Sequence, residues 1–239
     1  MALEGVVLLA APGPRSKAYL QALVARKLAP GLVVIMHGVS APGPDSPPYE
    51  WQGIFFPNPG ESLESTCDKA GIPWLQCPAS SVNDPELIQT LATTNARLII
   101  YCGPGGQLAG EALLSIGPPF LHLHSGWLPD FRGSTTLYYA LLEGQLPGVT
   151  AFLLDRTIDT GPVLARQHYP RPPVGMDVDR YFDPAIRADL LVRVMREFAT
   201  RGDFCAGAPQ LASEGRTYYV IHPVLKHIAL LSLAAKERS

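Results

Sequence analysis

The 239-residue chain has no cluster of basic residues of the kind that marks a nucleic-acid-binding surface. Lysine and arginine total 19 against 21 aspartate and glutamate residues, which gives a formal net charge of -2. Proteins that bind nucleic acid normally gather cations into a patch or stripe. We therefore predict no nucleic-acid partner and expect a small-molecule ligand.

Cysteine is scarce, with four residues that form no CxxC pair and show no metal-ligand spacing: Cys67, Cys77, Cys102 and Cys205. Isolated cysteines of this kind predict reduced, buried thiols in a reducing compartment. Long apolar runs are lacking too, since the first run, 6–11, is too short to cross a bilayer and no basic segment precedes it. These absences predict a cytoplasmic protein with no membrane attachment.

Short apolar runs that end at glycine or proline alternate with helical patterns along most of the chain. The run "GVVLLAAPGP", the helical stripe over 16–28 and the run "LVVIMHG" predict a strand–helix–strand unit with parallel strands. The Pro- and Gly-rich segment 39–60 is predicted to be an irregular loop. The alternation indicates an α/β domain with helices on both faces of the sheet. The other predicted strands are 72–77, 97–103, 120–124, 148–155 and 217–221, and the other predicted helices are 61–70, 85–94, 109–116, 134–143 and 224–235, with a helical stripe at 190–198. Asn83 or Asp84 is predicted to cap the helix at 85–94, with Pro85 at its first position.

The segment "LHLHSGWLPDFRG" (121–133) places His122 and His124 on the same face of a predicted strand, because side chains two apart in a strand share a face. Three explanations remain open. The rings can simply pack and form hydrogen bonds, they can bind a metal together with Asp159, or they can serve acid–base catalysis near neutral pH. A lone HxH is a weak metal pattern, and we predict no metal. The glycine-rich turn "CGPGGQLAG" matches neither GxGxxG nor a P-loop, but it follows a strand, at the edge where open α/β sheets bind ligands.

The segments around the two histidines and "TIDTGPVL" together resemble the signature of the folate-dependent formyltransferases. This family includes the glycinamide ribonucleotide, methionyl-tRNA and sugar N-formyltransferases, and its pattern reads roughly Asn-x-His-x-Ser-Leu-Leu-Pro-x-aromatic-Arg/Lys-Gly, followed later by Asp-x-Gly. The residues that fall into register are His124, Leu128, Pro129, 131–133 and 159–161. The resemblance extends to "IPWLQCPASSVNDPEL", "RLIIYCGPGGQLAGEALL" and "APQLASEGRTYY". It implies the Rossmann-like, mostly parallel twisted sheet of that family, with a catalytic domain at 1–205 and a short C-terminal α/β extension at 206–239 packed on it.

The resemblance assigns the family's catalytic histidine to His124 and its catalytic aspartate to Asp159. The family's asparagine falls on His122, which is a departure. Imidazole is bulkier than a carboxamide, titrates, and donates from only one nitrogen when neutral. Three outcomes stay open: His122 donates to the formyl oxygen in place of asparagine, it acts as a second base, or the site has changed its reaction or binds without catalysis. We expect the first.

The resemblance also implies 10-formyltetrahydrofolate as the formyl donor, with its pterin held by two loops that contain Gly106, Gln107 and Leu108, and Arg156, Thr157 and Ile158. The implied activity is formyl transfer to a small-molecule amine or hydroxylamine. Transfer RNA is not expected, because the sequence ends about twenty residues beyond "APQLASEG" and carries a slightly negative charge. The alternatives are a formyltetrahydrofolate hydrolase and a catalytically altered folate-binding protein. The apolar "IALLSLAA" near the C-terminus predicts either packing or a homodimer face.

Overall fold

A computed structural model describes residues 3–39, 41, 43–204, 206–211 and 213–236 of the chain. The strands are β1 (Leu3–Ala10), β2 (Pro30–Met36), β3 (Tyr49–Trp51), β4 (Ile54–Phe56), β5 (Trp74–Cys77), β6 (Leu98–Cys102), β7 (Phe120–His124), β8 (Phe131–Gly133), β9 (Gly148–Leu153), β10 (Val163–His168) and β11 (Arg216–Tyr218). The helices are α1 (Pro14–Ala25), α2 (Leu63–Ala70), α3 (Pro85–Ala92), α4 (Glu111–Leu114), α5 (Thr136–Leu142), α6 (Asp183–Arg201) and α7 (Pro223–Lys236), and a π-helical turn, Val178–Phe182, precedes α6.

Seven strands form the central sheet in the order β10-β9-β7-β6-β1-β2-β5. The strands from β5 to β7 in this order are parallel, whereas β9 runs antiparallel to β7, and β10 runs antiparallel to β9. From β1 the chain first builds the sheet toward β2 and β5, and it later returns to build β6 and β7 on the other side. The junction of β1 and β6 is therefore the topological switch point, where open α/β sheets bind ligands. The predicted mostly parallel α/β fold is confirmed.

Helices cover both faces of this sheet, and the local sequence explains where several of them begin and end. On one face α1 and α6 bury an apolar stripe that includes Leu20, Ile186 and Met195. On the other face α3 contributes Leu87 and Leu91, which are also buried. The carboxylate of Asp84 accepts a hydrogen bond from the Glu86 N–H, and Pro85 occupies the first turn of α3, as the sequence predicts. Caps of this type typically contribute about 1 kcal/mol.

Several elements differ from the sequence expectations. The segment 39–60, predicted to be irregular, contains the β3–β4 hairpin, because Ile54 and Phe56 reach the core and Tyr49 stacks on Phe56 at 4.8 Å between ring centroids. The helix expected over 109–116 is the single turn α4. The strands β8 and β10 were not predicted, since β8 has only three residues and β10 is a mostly half-buried edge strand with a weak apolar pattern.

The C-terminal segment is joined to the rest of the chain through the loop that follows β7. Strand β11 pairs in parallel with β8, and Tyr218 stacks on Phe131 at 5.3 Å between ring centroids. The buried guanidinium of Arg132 donates hydrogen bonds to the carbonyls of Leu211 and Glu214. A domain boundary near residue 205 stays a prediction.

Three of the four cysteines are buried free thiols, namely Cys67, Cys77 and Cys102, while Cys205 lies outside the described residues. None of the described helices is both long and apolar enough to span a bilayer.

Candidate active site

The two histidines of β7 lie side by side at the carboxyl edge of the sheet. Leu121 and Leu123 point into the core on the opposite face, as strand alternation predicts. Pairing between β6 and β7 stops at Leu121. His122 and His124 therefore lie where the two strands separate. Backbone pairing between β6 and β7 does not fill the space at this point.

The structure brings His124 and Asp159 together from two separate segments. The Nδ1 atom of His124 lies 3.5 Å from the Oδ2 atom of Asp159, and its Nε2 atom lies 2.6 Å from the carbonyl oxygen of Phe131. A carbonyl only accepts, so Nε2 carries a proton. The same Oδ2 atom of Asp159 accepts a hydrogen bond of 2.7 Å from the Gly133 N–H. The carboxylate thus links the loop after β9 to both β7 and β8.

Asp159 holds an unusual backbone conformation that is fixed by one glutamine. Its φ angle is +54°, in the left-handed region that aspartate tolerates better than most residues. The Nε2 amide of Gln210 donates to the carbonyls of Asp159 and Gly161, at 3.2 and 2.7 Å. Gln210 belongs to the "APQLASEG" segment, so this segment holds the catalytic candidate in place.

Burial disfavours the charged form of both histidines. Burial lowers the pKa of His124 below its ordinary value of 6.5, while the charge of Asp159 acts in the opposite direction. The pKa of His122 lies well below 6.5, because burial and the nearby guanidinium groups of Arg15 and Arg187 disfavour its charged form. The sequence alone suggested ordinary titration near neutrality, and the structure differs mainly because of burial, with a further contribution from arginines that reach this edge from distant helices.

These two arginines are functional candidates that the sequence did not reveal. Arg187 of α6 donates from Nη1 to the Leu123 carbonyl at 2.8 Å and forms an ion pair with Asp183 at 2.9 Å. Arg15 of α1 donates to the Gly103 carbonyl and, from Nε, to the Cys102 sulfur at 3.2 Å. Nothing in their local sequence marks them, because their role depends only on where α1 and α6 cross the sheet edge.

A cavity of about 240 Å³ opens at the carboxyl ends of β1 and β6, at the topological switch point. The side chains of Arg15, Asp179 and Asp183 line it together with backbone of 11–14 and 103–105. The lining ends at Gly105, so the predicted pterin loop at 106–108 lies beside this cavity rather than in it.

The two predicted pterin loops are joined by an ion pair. Arg156 lies 2.7 Å from Glu111, the residue that begins α4 directly after the first loop. The Gln107 side chain accepts from the Val82 N–H and donates to the Ser80 carbonyl, so it supports the loop rather than pointing outward. The other predicted residues are placed as follows: Gly106 has a φ of +80°, Thr157 donates its N–H to Asp155, and Leu108 and Ile158 are 62% and 39% exposed.

The exposed apolar side chains of Leu108 and Ile158, on the two predicted loops, suit contact with the flat face of a pterin. For a metal the fit is poor. No set of three His, Cys, Asp or Glu side chains that could hold a metal ion occurs among the described residues, so His122, His124 and Asp159 do not form such a set.

Comparison with known proteins places these residues in one recognised sequence region. The sequence profile of the formyl transferase family matches residues 63–177, which contain both histidines and Asp159. The methionyl-tRNA formyltransferase of Chloroflexus aurantiacus is 36% identical over 128 residues, which cover 52% of this chain and 40% of that protein. The chain thus spans less than half the length of this curated relative.

Solved structures of similar fold cover nearly the whole chain. The phosphoribosylglycinamide formyltransferase of Bacillus halodurans superimposes with a TM-score of 0.57 at 17% identity, over 83% of this chain and 97% of that one. An N-formyltransferase from Helicobacter canadensis, solved with folinic acid and dTDP-3-aminofucose, gives a TM-score of 0.56 at 14% identity, over 98% of this chain and 82% of that one. At these identities the likeness concerns the fold.

Proposed function

We propose that the chain is a formyl transferase of the family whose profile matches residues 63–177, and that it transfers a formyl group from 10-formyltetrahydrofolate to a small-molecule amine or hydroxylamine. The observation that carries the proposal is the contact between His124 and Asp159, which come from β7 and from the loop after β9 and meet at the carboxyl edge of the sheet. A buried imidazole held by a carboxylate is suited to proton transfer and to stabilising charge on a reacting oxygen.

The reaction needs these groups for two reasons. Negative charge grows on the formyl oxygen during attack, and a well-placed donor to such an oxygen typically contributes about 3–4 kcal/mol. Positive charge grows on the attacking nitrogen, whose proton must then leave. In this proposal Asp159 orients His124 and stabilises its charged form against the cost of burial, since its carboxylate raises the pKa that burial lowers.

Incubation of the protein with 10-formyltetrahydrofolate tests the proposal. Release of tetrahydrofolate only when an amine is present, with formation of the formylated amine, is the expected result. Release without any amine would instead identify a hydrolase, and binding of the donor without release would identify a folate-binding protein. Either of these outcomes would contradict formyl transfer.

For the donor, we propose that the pterin lies against 106–108 and 156–158. If Leu108 packs on the pterin, Leu108→Ser is expected to raise the KM for the donor roughly 10-fold or more, since burial of a leucine side chain is worth about 1.5–3 kcal/mol. Stability should not change, because Leu108 is 62% exposed. Steady-state kinetics and donor titration measure the effect, and Leu146→Ser, at an exposed leucine outside both predicted pterin loops, is the matched control. An unchanged donor KM would place the pterin elsewhere.

For the acceptor, we propose that a small molecule enters the cavity at the switch point. Its volume of about 240 Å³ suits a compact acceptor rather than a nucleic acid, and its lining of proline and glycine carries one arginine beside two carboxylates. The net charge of -2 also disfavours transfer RNA as the acceptor. A folate-dependent reaction and three buried free thiols support a cytoplasmic location.

We also propose a homodimer through α7. Four apolar side chains of this helix are exposed in the described part of the chain, namely Val224, Leu225, Ile228 and Leu231. An apolar face of this kind is a common feature of protein interfaces. Light scattering is expected to give the mass of two chains, and Ile228→Glu should reduce it to one. A mass of one chain for the wild-type protein would contradict the dimer.

A further inference from the structure

The ring nitrogens of His122 have different surroundings, and this difference favours one neutral tautomer. The Nδ1 atom lies 3.4 Å from the carbonyl oxygen of Tyr101. Because a carbonyl oxygen can only accept, the favoured neutral form carries its proton on Nδ1. The Nε2 atom then has a free lone pair, and no described residue donates a hydrogen bond to it. In this form Nε2 accepts a proton but cannot donate one.

His124 is arranged in the opposite way. Both of its nitrogens face protein oxygens, with Nε2 against the Phe131 carbonyl and Nδ1 against Asp159. The ring is also enclosed, since a Cβ atom at Gly126 would lie 2.6 Å from Nε2. His124 is buried, whereas His122 is partly exposed. Of the two neighbouring rings, only His122 is therefore partly exposed and has a nitrogen with no hydrogen-bond partner among the described residues.

We propose that Nε2 of His122 is the base that takes the proton from the attacking acceptor amine. This inference rests on the proposed function and assigns a catalytic role to the position at which the family pattern has asparagine. An asparagine side-chain amide is no base at neutral pH, so the substitution changes the chemistry available at this position. The role differs from donation to the formyl oxygen, for which Nε2 would need a hydrogen.

In this step His122 takes one proton from the amine and later returns it to the folate. The amine nitrogen forms a bond to the formyl carbon and becomes positively charged, and Nε2 takes its proton. As the bond between the formyl carbon and N10 of the folate breaks, its electron pair returns to N10, and the imidazolium gives N10 the proton. The products are a formamide and tetrahydrofolate, and His122 is again neutral.

The groups that surround His122 keep this base uncharged before the reaction. Arg15 from α1, Arg187 from α6 and His124 from β7 all disfavour its protonation, in addition to burial. The neutral rings of Tyr101 from β6 and Phe152 from β9 contact it edge-on, at 5.5 and 5.6 Å between centroids. Lowering the pH through 6.5 should therefore not remove the base, and a loss of activity due to His122 is expected only at distinctly lower pH.

The tautomer can be measured directly, without turnover. Long-range ¹H–¹⁵N correlation spectra of the ¹⁵N-histidine-labelled protein at neutral pH distinguish Nδ1–H from Nε2–H, and the signals missing in His122→Asn assign this ring. The expected result is a neutral ring that is protonated on Nδ1. A ring protonated on Nε2, or a charged ring, would overturn the proposal even if formyl transfer is observed.

Kinetics provide the second test. His122→Asn restores the family residue and keeps a hydrogen-bond donor, so it should preserve kcat if donation is the role. If His122 is the base, kcat falls roughly 10²–10⁴-fold, and added imidazole partly restores the activity of His122→Ala in proportion to its unprotonated form. His227→Asn, at an exposed histidine of α7, is the control and should leave kcat unchanged.

The possible outcomes distinguish failure of the base role of His122 from failure of the proposed formyl transfer. Wild-type kcat in His122→Asn, with a normal melting temperature, would overturn the base role and leave formyl transfer in place. Absence of formyl transfer to any amine by the wild-type protein would overturn the proposed function instead. The tautomer measurement remains informative in both cases, because it requires only the folded protein.

Discussion

Asp159→Asn is expected to lower kcat by roughly 10²–10⁴-fold while the fold is retained. Asparagine keeps a side-chain oxygen for the Gly133 N–H but removes the negative charge that faces Nδ1 of His124. Burial already lowers the pKa of His124, and the carboxylate is the main group that opposes this effect. Without it the pKa of His124 falls further, and the charged imidazolium becomes less accessible during the reaction. The pH profile of kcat and the melting temperature measure the two effects separately.

Asp130→Asn is the matched control for this prediction. Asp130 is an exposed aspartate in the loop between β7 and β8, close in sequence to the site, and its side chain forms no hydrogen bond with any described residue. The same chemical change there should leave kcat and the pH profile as in the wild-type protein. If Asp159→Asn retained wild-type kcat, the His124–Asp159 contact would be structural only. It would then no longer support the proposed function.

The sequence predicted the fold where short-range patterns are strong. Apolar runs that end at glycine or proline gave β1, β2 and β6, and Asp84 with Pro85 gave the start of α3. These signals depend only on neighbouring residues, so they can be recognised in a single sequence. The hairpin β3–β4 was missed because its residues are embedded among prolines and glycines, and only contact with the core makes them a pair of strands.

The site was predictable in part, for a similar reason. Alternation along a strand predicts that His122 and His124 share a face, and the two motifs of the formyltransferase pattern indicated Asp159 as the partner. The environment of the histidines was not predictable. Arg15 and Arg187 reach the site from α1 and α6, and the Tyr101 carbonyl that selects the tautomer of His122 belongs to a neighbouring strand. This tautomer supports the second of the outcomes considered for His122, the base, over the expected donor.

Gly161 explains in physical terms why glycine ends the Asp-Thr-Gly motif. The loop after β9 returns to pair with the same strand, since the Leu153 N–H donates to the Pro162 carbonyl. At this crossing a Cβ atom on residue 161 would lie 1.8 Å from the Leu153 carbonyl oxygen. The new Cβ is attached directly to one main-chain segment and the oxygen belongs to the other, and the Gly161 segment is held further by the hydrogen bond from Gln210 to the Gly161 carbonyl. No side-chain rotation relieves the clash, so one of the two segments must move.

Gly161→Ala is accordingly expected to destabilise the protein by about 3 kcal/mol or more, at or above the upper end of ordinary overpacking. For a chain of this size such a loss corresponds to a fall of roughly 6–12 °C in melting temperature. Thermal and urea unfolding measure it, and Gly105→Ala, where no atom lies within 4 Å of the new Cβ, is the control. The remaining folded protein should also be impaired in catalysis, because displacement of the loop draws Asp159 away from His124. An unchanged melting temperature with full activity would mean that the loop approaches β9 less closely than this crossing requires, and that glycine serves another purpose in the motif.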